Sequence, residues 1–185
     1  KVTVSKTEAR KQIGASPDAR LYLVMTGGEG CENATDLTMK LLQRDPKSQV
    51  FVMTGHNKDL LAHISDTFKT DSRVKAIEFT KDIPVFMDAC DVLLTKPGGL
   101  SSTEAAVKNV PFIHTPPIPG CETQNARFFS EHGMSVMAAD DESAIMNACR
   151  LATDSPACRR MKEAQQQYIN SNAAADIYDA IAASL

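Results

Sequence analysis

Apolar and polar positions along this chain follow two rhythms. Short, nearly continuous apolar runs ("LYLVMT", "QVFVMTG", "VKAIEF", "DVLLT", "PFIHT" and "MSVMA") alternate with longer stretches in which apolar residues recur every three or four positions. The runs predict six strands. The stretches between them predict helices at 5–13 and 33–44, then within "NKDLLAHISDTF", "DIPVFMDAC", "SSTEAAVKN" and "ETQNARFFSEHG". Leu60, Leu61 and Ile64 share one helical face. Ser5 with Glu8 three residues on is a capping-box pattern. Pro84 falls in a first turn, where a missing N–H costs nothing. Two polar-faced helices, 141–153 and 156–182, close the chain. Strands covered on both faces read as continuous apolar runs. Their alternation with helices is the pattern of an α/β fold, a doubly wound, mostly parallel, six-stranded Rossmann-like sheet. No repeat or low-complexity linker interrupts it. Residues 1–185 therefore read as a single domain, with the helices of 155–185 packed on it.

Such a sheet receives its ligand beyond the carboxyl ends of the strands, near the reversal of strand order. Gly27, Gly28 and Gly30 follow the first strand and open a helix, an arrangement that brings backbone amides close to an anion. The same residues suit a plain tight turn, and "GGEG" is neither a G-x-G-x-x-G fingerprint nor a P-loop. Glu29 has to point away from a phosphate or bind a sugar hydroxyl. Pro97-Gly98-Gly99-Leu100-Ser101-Ser102 also precedes a helix, with Ser101 or Ser102 placed to cap it, and its amides and hydroxyls form an anion nest. Two glycine-rich openings after two strands of one sheet can face a diphosphate from two sides. Glu104 is read in the first turn of that helix. The helix dipole favours a carboxylate there, and a ribose diol could donate to it. In "PPIPGCETQN", Glu122, Gln124 and Asn125 suit sugar hydroxyls, while Glu122 and Thr123 equally suit helix capping. Cys121 has no histidine near it in sequence, which argues against a nucleophilic thiol. His114 ends a strand near this region and reads as packed or solvated rather than as a ligand contact.

Composition narrows the function classes. At 43% apolar residues the chain can bury a core, which argues against disorder. The absence of Trp argues against a carbohydrate platform and single-strand stacking, and a net charge of −3 without a basic run argues against duplex binding. Five cysteines without a C-x-x-C pair or a histidine cluster argue against zinc and a disulfide framework, so a reducing cytoplasm fits best. No apolar run reaches membrane-spanning length and no signal peptide stands out. The first residue is Lys, which leads us to expect a fragment whose partner half is missing.

The segment "KPGGLSSTEAAVKNVPFIHTPPIPGCETQNARFF" resembles the donor-binding signature of family 28 glycosyltransferases. It is nearest the monogalactosyldiacylglycerol synthase and processive diacylglycerol glucosyltransferase branch. The likeness extends back through "FTKDIPVFMDACDVLLTKPGG" to "LYLVMTGGEG" and on to the final helices. This resemblance implies the carboxyl-terminal half of a GT-B fold, which holds a UDP-sugar, while an absent amino-terminal half holds a lipid acceptor. By position, Phe79 and Thr80 would border the uracil and Ile83 would pack on it. Gly28 to Gly30 and Gly99 to Ser102 would cradle the diphosphate, Glu104 would hold the ribose, and Cys121, Glu122 and Asn125 would face the sugar. Relatives often carry Gln where Cys121 stands, and a thiol cannot replace an amide's paired hydrogen bonds, so the sugar stays open. The implied reaction is hexose transfer by direct displacement with inversion, the base coming from the other half. No catalytic residue, metal or cofactor is expected in this chain. The implied location is the cytoplasm, peripheral at the inner face of the membrane. Half of a non-hydrolysing UDP-sugar epimerase and a non-catalytic nucleotide-binding module are the alternatives.

Overall fold

The computed structural model describes residues 3–25, 33–117 and 120–184. In chain order the elements are α1 (Lys6–Ile13), β1 (Arg20–Met25), α2 (Ala34–Arg44), β2 (Ser48–Gly55), α3 (Lys58–Thr67), β3 (Val74–Glu78), α4 (Ile83–Ala89) and β4 (Val92–Thr95). They continue with α5 (Gly99–Lys108), β5 (Phe112–His114), α6 (Cys121–Glu131), β6 (Val136–Met137), α7 (Asp141–Leu151), α8 (Ser155–Tyr168) and α9 (Ala173–Ala182). The strands form one sheet in the order β3-β2-β1-β4-β5-β6, and every pairing is parallel.

Side chains alternate across a strand, so each apolar run feeds both faces of the sheet. Tyr22, Val24, Val50, Val52, Val92, Leu94 and Ile113 meet Leu37 and Leu41 of α2, Ile64 of α3, and Ile145 and Leu151 of α7 on one face. Leu21, Leu23, Phe51, Met53, Leu93 and Phe112 meet Phe86 and Met87 of α4, Ala105 of α5 and Phe129 of α6 on the other. This two-sided burial accounts for strands without polar alternation.

Strand order reverses between β1 and β4, where Met25 pairs with Thr95. The chain segments leaving these two strands therefore start side by side, one strand spacing apart, at the carboxyl edge of the sheet. The opposite edge is tied by charge. Arg10 of α1 is 7% exposed and donates to the carbonyls of Ala89, Ser16 and Pro17 and to Asp91. Asp91 also accepts from Lys6 and from the Leu21 amide.

Two expectations change. The helix after β4 opens at Gly99, with Gly98 as its N-cap and no side-chain cap, so neither Ser101 nor Ser102 caps it. The stretch 156–182 is two helices, not one. The chain leaves helical geometry at Ile169 (φ −112°, ψ 116°), and Asn170 accepts from the Asn172 amide at 2.8 Å, a local bond that competes with the helical one. α9 buries none of its side chains.

Candidate functional site

A pocket of about 160 Å³ opens at the carboxyl edge, across the ends of β1, β2 and β3. Its walls are Met25, Met53, Gly55 and Glu78 from strands β1 to β3, Phe79 and Thr80 just after β3, Ile83 at the start of α4, and Ser101 in the first turn of α5. The structure thus brings Phe79, Thr80, Ile83 and Ser101 together, although up to 22 residues of chain separate them. Thr80 is fixed by its own hydroxyl, which accepts from the Asp82 amide at 3.1 Å. Phe79 is 54% exposed, and His56 stacks on it with ring centroids 4.2 Å apart and planes at 15°. Gly55 and His56 fall in the loop 54–57 to which the carboxyl-edge rule points, but the sequence assigns no role to either, and Met25 and Met53, inside strands, carry no signal beyond their apolar run.

Beside the pocket lies the opening of α5. The Gly98 amide donates to Lys96 O at 2.8 Å and the Ser102 amide to Gly98 O at 3.1 Å. The amides of Gly99, Leu100 and Ser101 lie between these two and make no hydrogen bond within the described chain. They form the positive end of a ten-residue helix, an arrangement suited to an anion. The glycines here have no internal cause. Gly98 has φ −75°, an ordinary value, and a Cβ on it would meet nothing within 4 Å. A Cβ on Gly99 would meet only Asn125 Nδ2, at 4.0 Å. Asn125 donates through the same nitrogen to Pro97 O at 3.0 Å, so its amide braces the loop ahead of the helix.

The structure changes the local reading of several residues around this opening. Ser102 is fully buried, and its hydroxyl is hydrogen-bonded to His114 Nε2 at 2.9 Å, so it offers nothing to an anion. Because α5 opens two residues early, Glu104 falls in its second turn. Its carboxylate is exposed and has no partner among the described residues. Helix α6 starts at Cys121, capped by Gly120 at φ 123°, a conformation that favours glycine, and not by Glu122 or Thr123. Cys121 is exposed and Glu122 half-buried in the first turn of α6, and neither lines the pocket. Gly27, Gly28, Glu29 and Gly30 lie outside the described residues.

His114 is packed. Its ring nitrogens bond the hydroxyls of Ser102 and Ser135, the latter at 3.2 Å, and its ring meets Phe112 and Phe129 edge-on. A neutral imidazole has one N–H and one bare nitrogen, so one serine donates and the other accepts. Burial lowers its pKa to about 4. The network joins β5, the first turn of α5 and the approach to β6 directly beneath the open amides. Burial also raises the Cys90 thiol to about 12, which removes it as a nucleophile.

Six parallel strands with a pocket beside the reversal of strand order define a Rossmann-like domain, and its solved structural neighbours make it one half of the GT-B architecture. UDP-GlcNAc 2-epimerase from Neisseria meningitidis, solved with UDP-GlcNAc bound, matches 95% of this chain and 48% of its own, with a TM-score of 0.70 at 18% identity. MurG from Acinetobacter baumannii matches 96% and 53%, with a TM-score of 0.67 at 16% identity. At such identities the likeness is one of fold. The sequence goes further: the pattern of the Glycosyltransferase family 28 C-terminal domain matches residues 22–182, and the chain belongs to that family. Processive diacylglycerol beta-glucosyltransferase from Bacillus pumilus (strain SAFR-032) is 32% identical over 162 residues, which are 86% of this chain and 42% of that protein. The enzyme of the same name from Bacillus subtilis (strain 168) is 30% identical, over 83% of this chain and 40% of that protein. The chain spans about two-fifths of the length of these relatives.

Proposed function

We propose that this chain is the UDP-sugar-binding domain of an inverting glycosyltransferase that transfers a hexose to a diacylglycerol-type lipid. The observation that carries the reading is the α5 opening. Among the described residues three consecutive amides make no hydrogen bond there, beside glycines on which an added methyl would meet no described atom closer than 4.0 Å, and next to an apolar pocket with an exposed aromatic wall. The amides receive the diphosphate and the pocket receives the base. Glu104, in the second turn of the same helix, accepts from the ribose diol, and Cys121, Glu122 and Asn125 face the sugar.

In the transfer step an acceptor hydroxyl attacks the anomeric carbon and the nucleoside diphosphate leaves. The helix opening supplies fixed donors where negative charge grows on the leaving group, with no reorganisation during the step. The base that takes the hydroxyl proton belongs to an amino-terminal acceptor domain, and we assign none to this chain. Lipid acceptors place the full protein at the inner face of the membrane. Among the described residues no helix is long and apolar enough to cross one. The transferase is favoured over the epimerase because the sequence relatives at 30–32% identity are glucosyltransferases, whereas the epimerase likeness is one of fold.

Titration calorimetry with UDP, ADP and NAD tests the donor. UDP is expected to bind best, and Glu104→Ala is expected to cost roughly 1.5–3 kcal/mol of that affinity, the range for charge-assisted hydrogen bonds. Equal affinity for ADP would remove the uracil assignment.

A further inference from the structure

His56 stands one residue past the end of β2, where Gly55 turns the chain at φ 59°. Across the sheet Gly55 is in register with Glu78 of β3, and Phe79 follows directly. The two strand ends therefore deliver an imidazole and a phenyl ring to the same spot. The rings lie almost flat on one another, 4.2 Å apart. Both side chains are exposed, and the imidazole makes no hydrogen bond to any described residue.

Phe79 lines the pocket and is still 54% exposed. A phenyl ring half in water has few contacts to select one rotamer, and ordering it at the moment of binding would cost affinity. A second flat ring on its face selects the rotamer beforehand. We propose that His56 is a positioning residue for the nucleobase: stacked on Phe79, it holds the phenyl ring as a fixed wall of the pocket that receives a flat heterocycle. The inference rests on the nucleotide-binding reading above and assigns a role within it. His56 acts on the base half of the ligand alone. The diphosphate meets the α5 amides, which follow a different strand.

That division makes the inference testable on the chain as it stands, with two ligands and two variants. UDP and inorganic pyrophosphate are titrated into the wild type, His56→Ala and His56→Phe, and thermal melts are recorded for each. In His56→Ala the UDP affinity is expected to fall about three- to tenfold, the range for losing one aromatic pair, with pyrophosphate affinity and melting temperature unchanged. In His56→Phe the UDP affinity is expected to return, because a flat ring is restored without the imidazole nitrogens. An unchanged UDP affinity in His56→Ala overturns the inference. An equal loss of UDP and pyrophosphate also overturns it, since that marks a phosphate contact or a distorted opening. Failure of His56→Phe to recover overturns it as well. A wild type that binds no UDP sinks the nucleotide reading and this role together, whereas a wild type that binds UDP beside an unaffected His56→Ala removes only the role of His56.

Discussion

A methyl group added at Gly98 or Gly99 meets open space or, at most, an ordinary contact with Asn125. Replacing glycine by alanine at an ordinary φ removes freedom mainly from the unfolded chain, which stabilises by roughly 0.4–1 kcal/mol. Gly99→Ala, inside the first turn of α5 and clear of the cap, is therefore expected to melt slightly higher than the wild type. In the nucleotide reading the same methyl stands where the diphosphate approaches, so UDP affinity is expected to fall at least about tenfold. Opposite signs in the melt and in the titration are the signature, and a variant that still binds UDP like the wild type would remove the α5 opening from the site. His114 carries a second residue-scale expectation. Its pKa is lowered to about 4 in the folded chain, against an ordinary value near 6.5. Above pH 6.5 it is neutral in both states and contributes no pH dependence. As pH falls from 6.5 to 4 the unfolded chain takes up a proton that the folded chain refuses, and stability drops by up to about 3 kcal/mol. In denaturant melts His114→Leu should lose much of that slope between pH 6.5 and 4, even if its overall stability differs.

Elements differ in how far the sequence reveals them. The alternation of strands and helices follows from local periodicity, and it places each strand end at the carboxyl edge where the pocket lies. The start of α5 was misread because serine is the common cap, whereas Gly98 takes the cap position here without a side-chain bond. The Ser102–His114–Ser135 network was invisible because its bonds span 12 and 21 residues and depend on strand pairing. The break between α8 and α9 is a contest between helix propensity and a local asparagine bond. α9 itself has Ile177, Tyr178 and Ile181 exposed at 60%, 72% and 57%, and no buried residue. It therefore contributes little to holding this chain together. Ending the chain after Asn172 is expected to shift the melting temperature by less than about 2 °C, since each kcal/mol moves a chain of this size by about 2–4 °C. A shift several times larger would mean that α9 packs on the domain in solution.

At the scale of the whole molecule the sheet separates two tasks. Its carboxyl edge carries the pocket and the open amides, and its amino edge carries the Arg10–Asp91–Lys6 cluster that ties α1 to the strands. Strand order, which sets this division, could not be read from local pattern, because it depends on which crossover each helix makes. The division has a measurable consequence. Arg10→Met keeps much of the buried side-chain volume but strips donors from the carbonyls of Ala89, Ser16 and Pro17, and leaves Asp91 with Lys6 and the Leu21 amide. Breaking a largely buried pair in this way costs about 2–4 kcal/mol once the partial exposure of Asp91 is discounted, and the melting temperature is expected to fall by roughly 5–12 °C. None of these groups lines the pocket or the α5 opening, so UDP affinity measured well below the melt should match the wild type. A variant that lost stability and UDP affinity in proportion would show the two edges to be coupled through the sheet, and the binding site would then owe its geometry to α1 as much as to the strand ends.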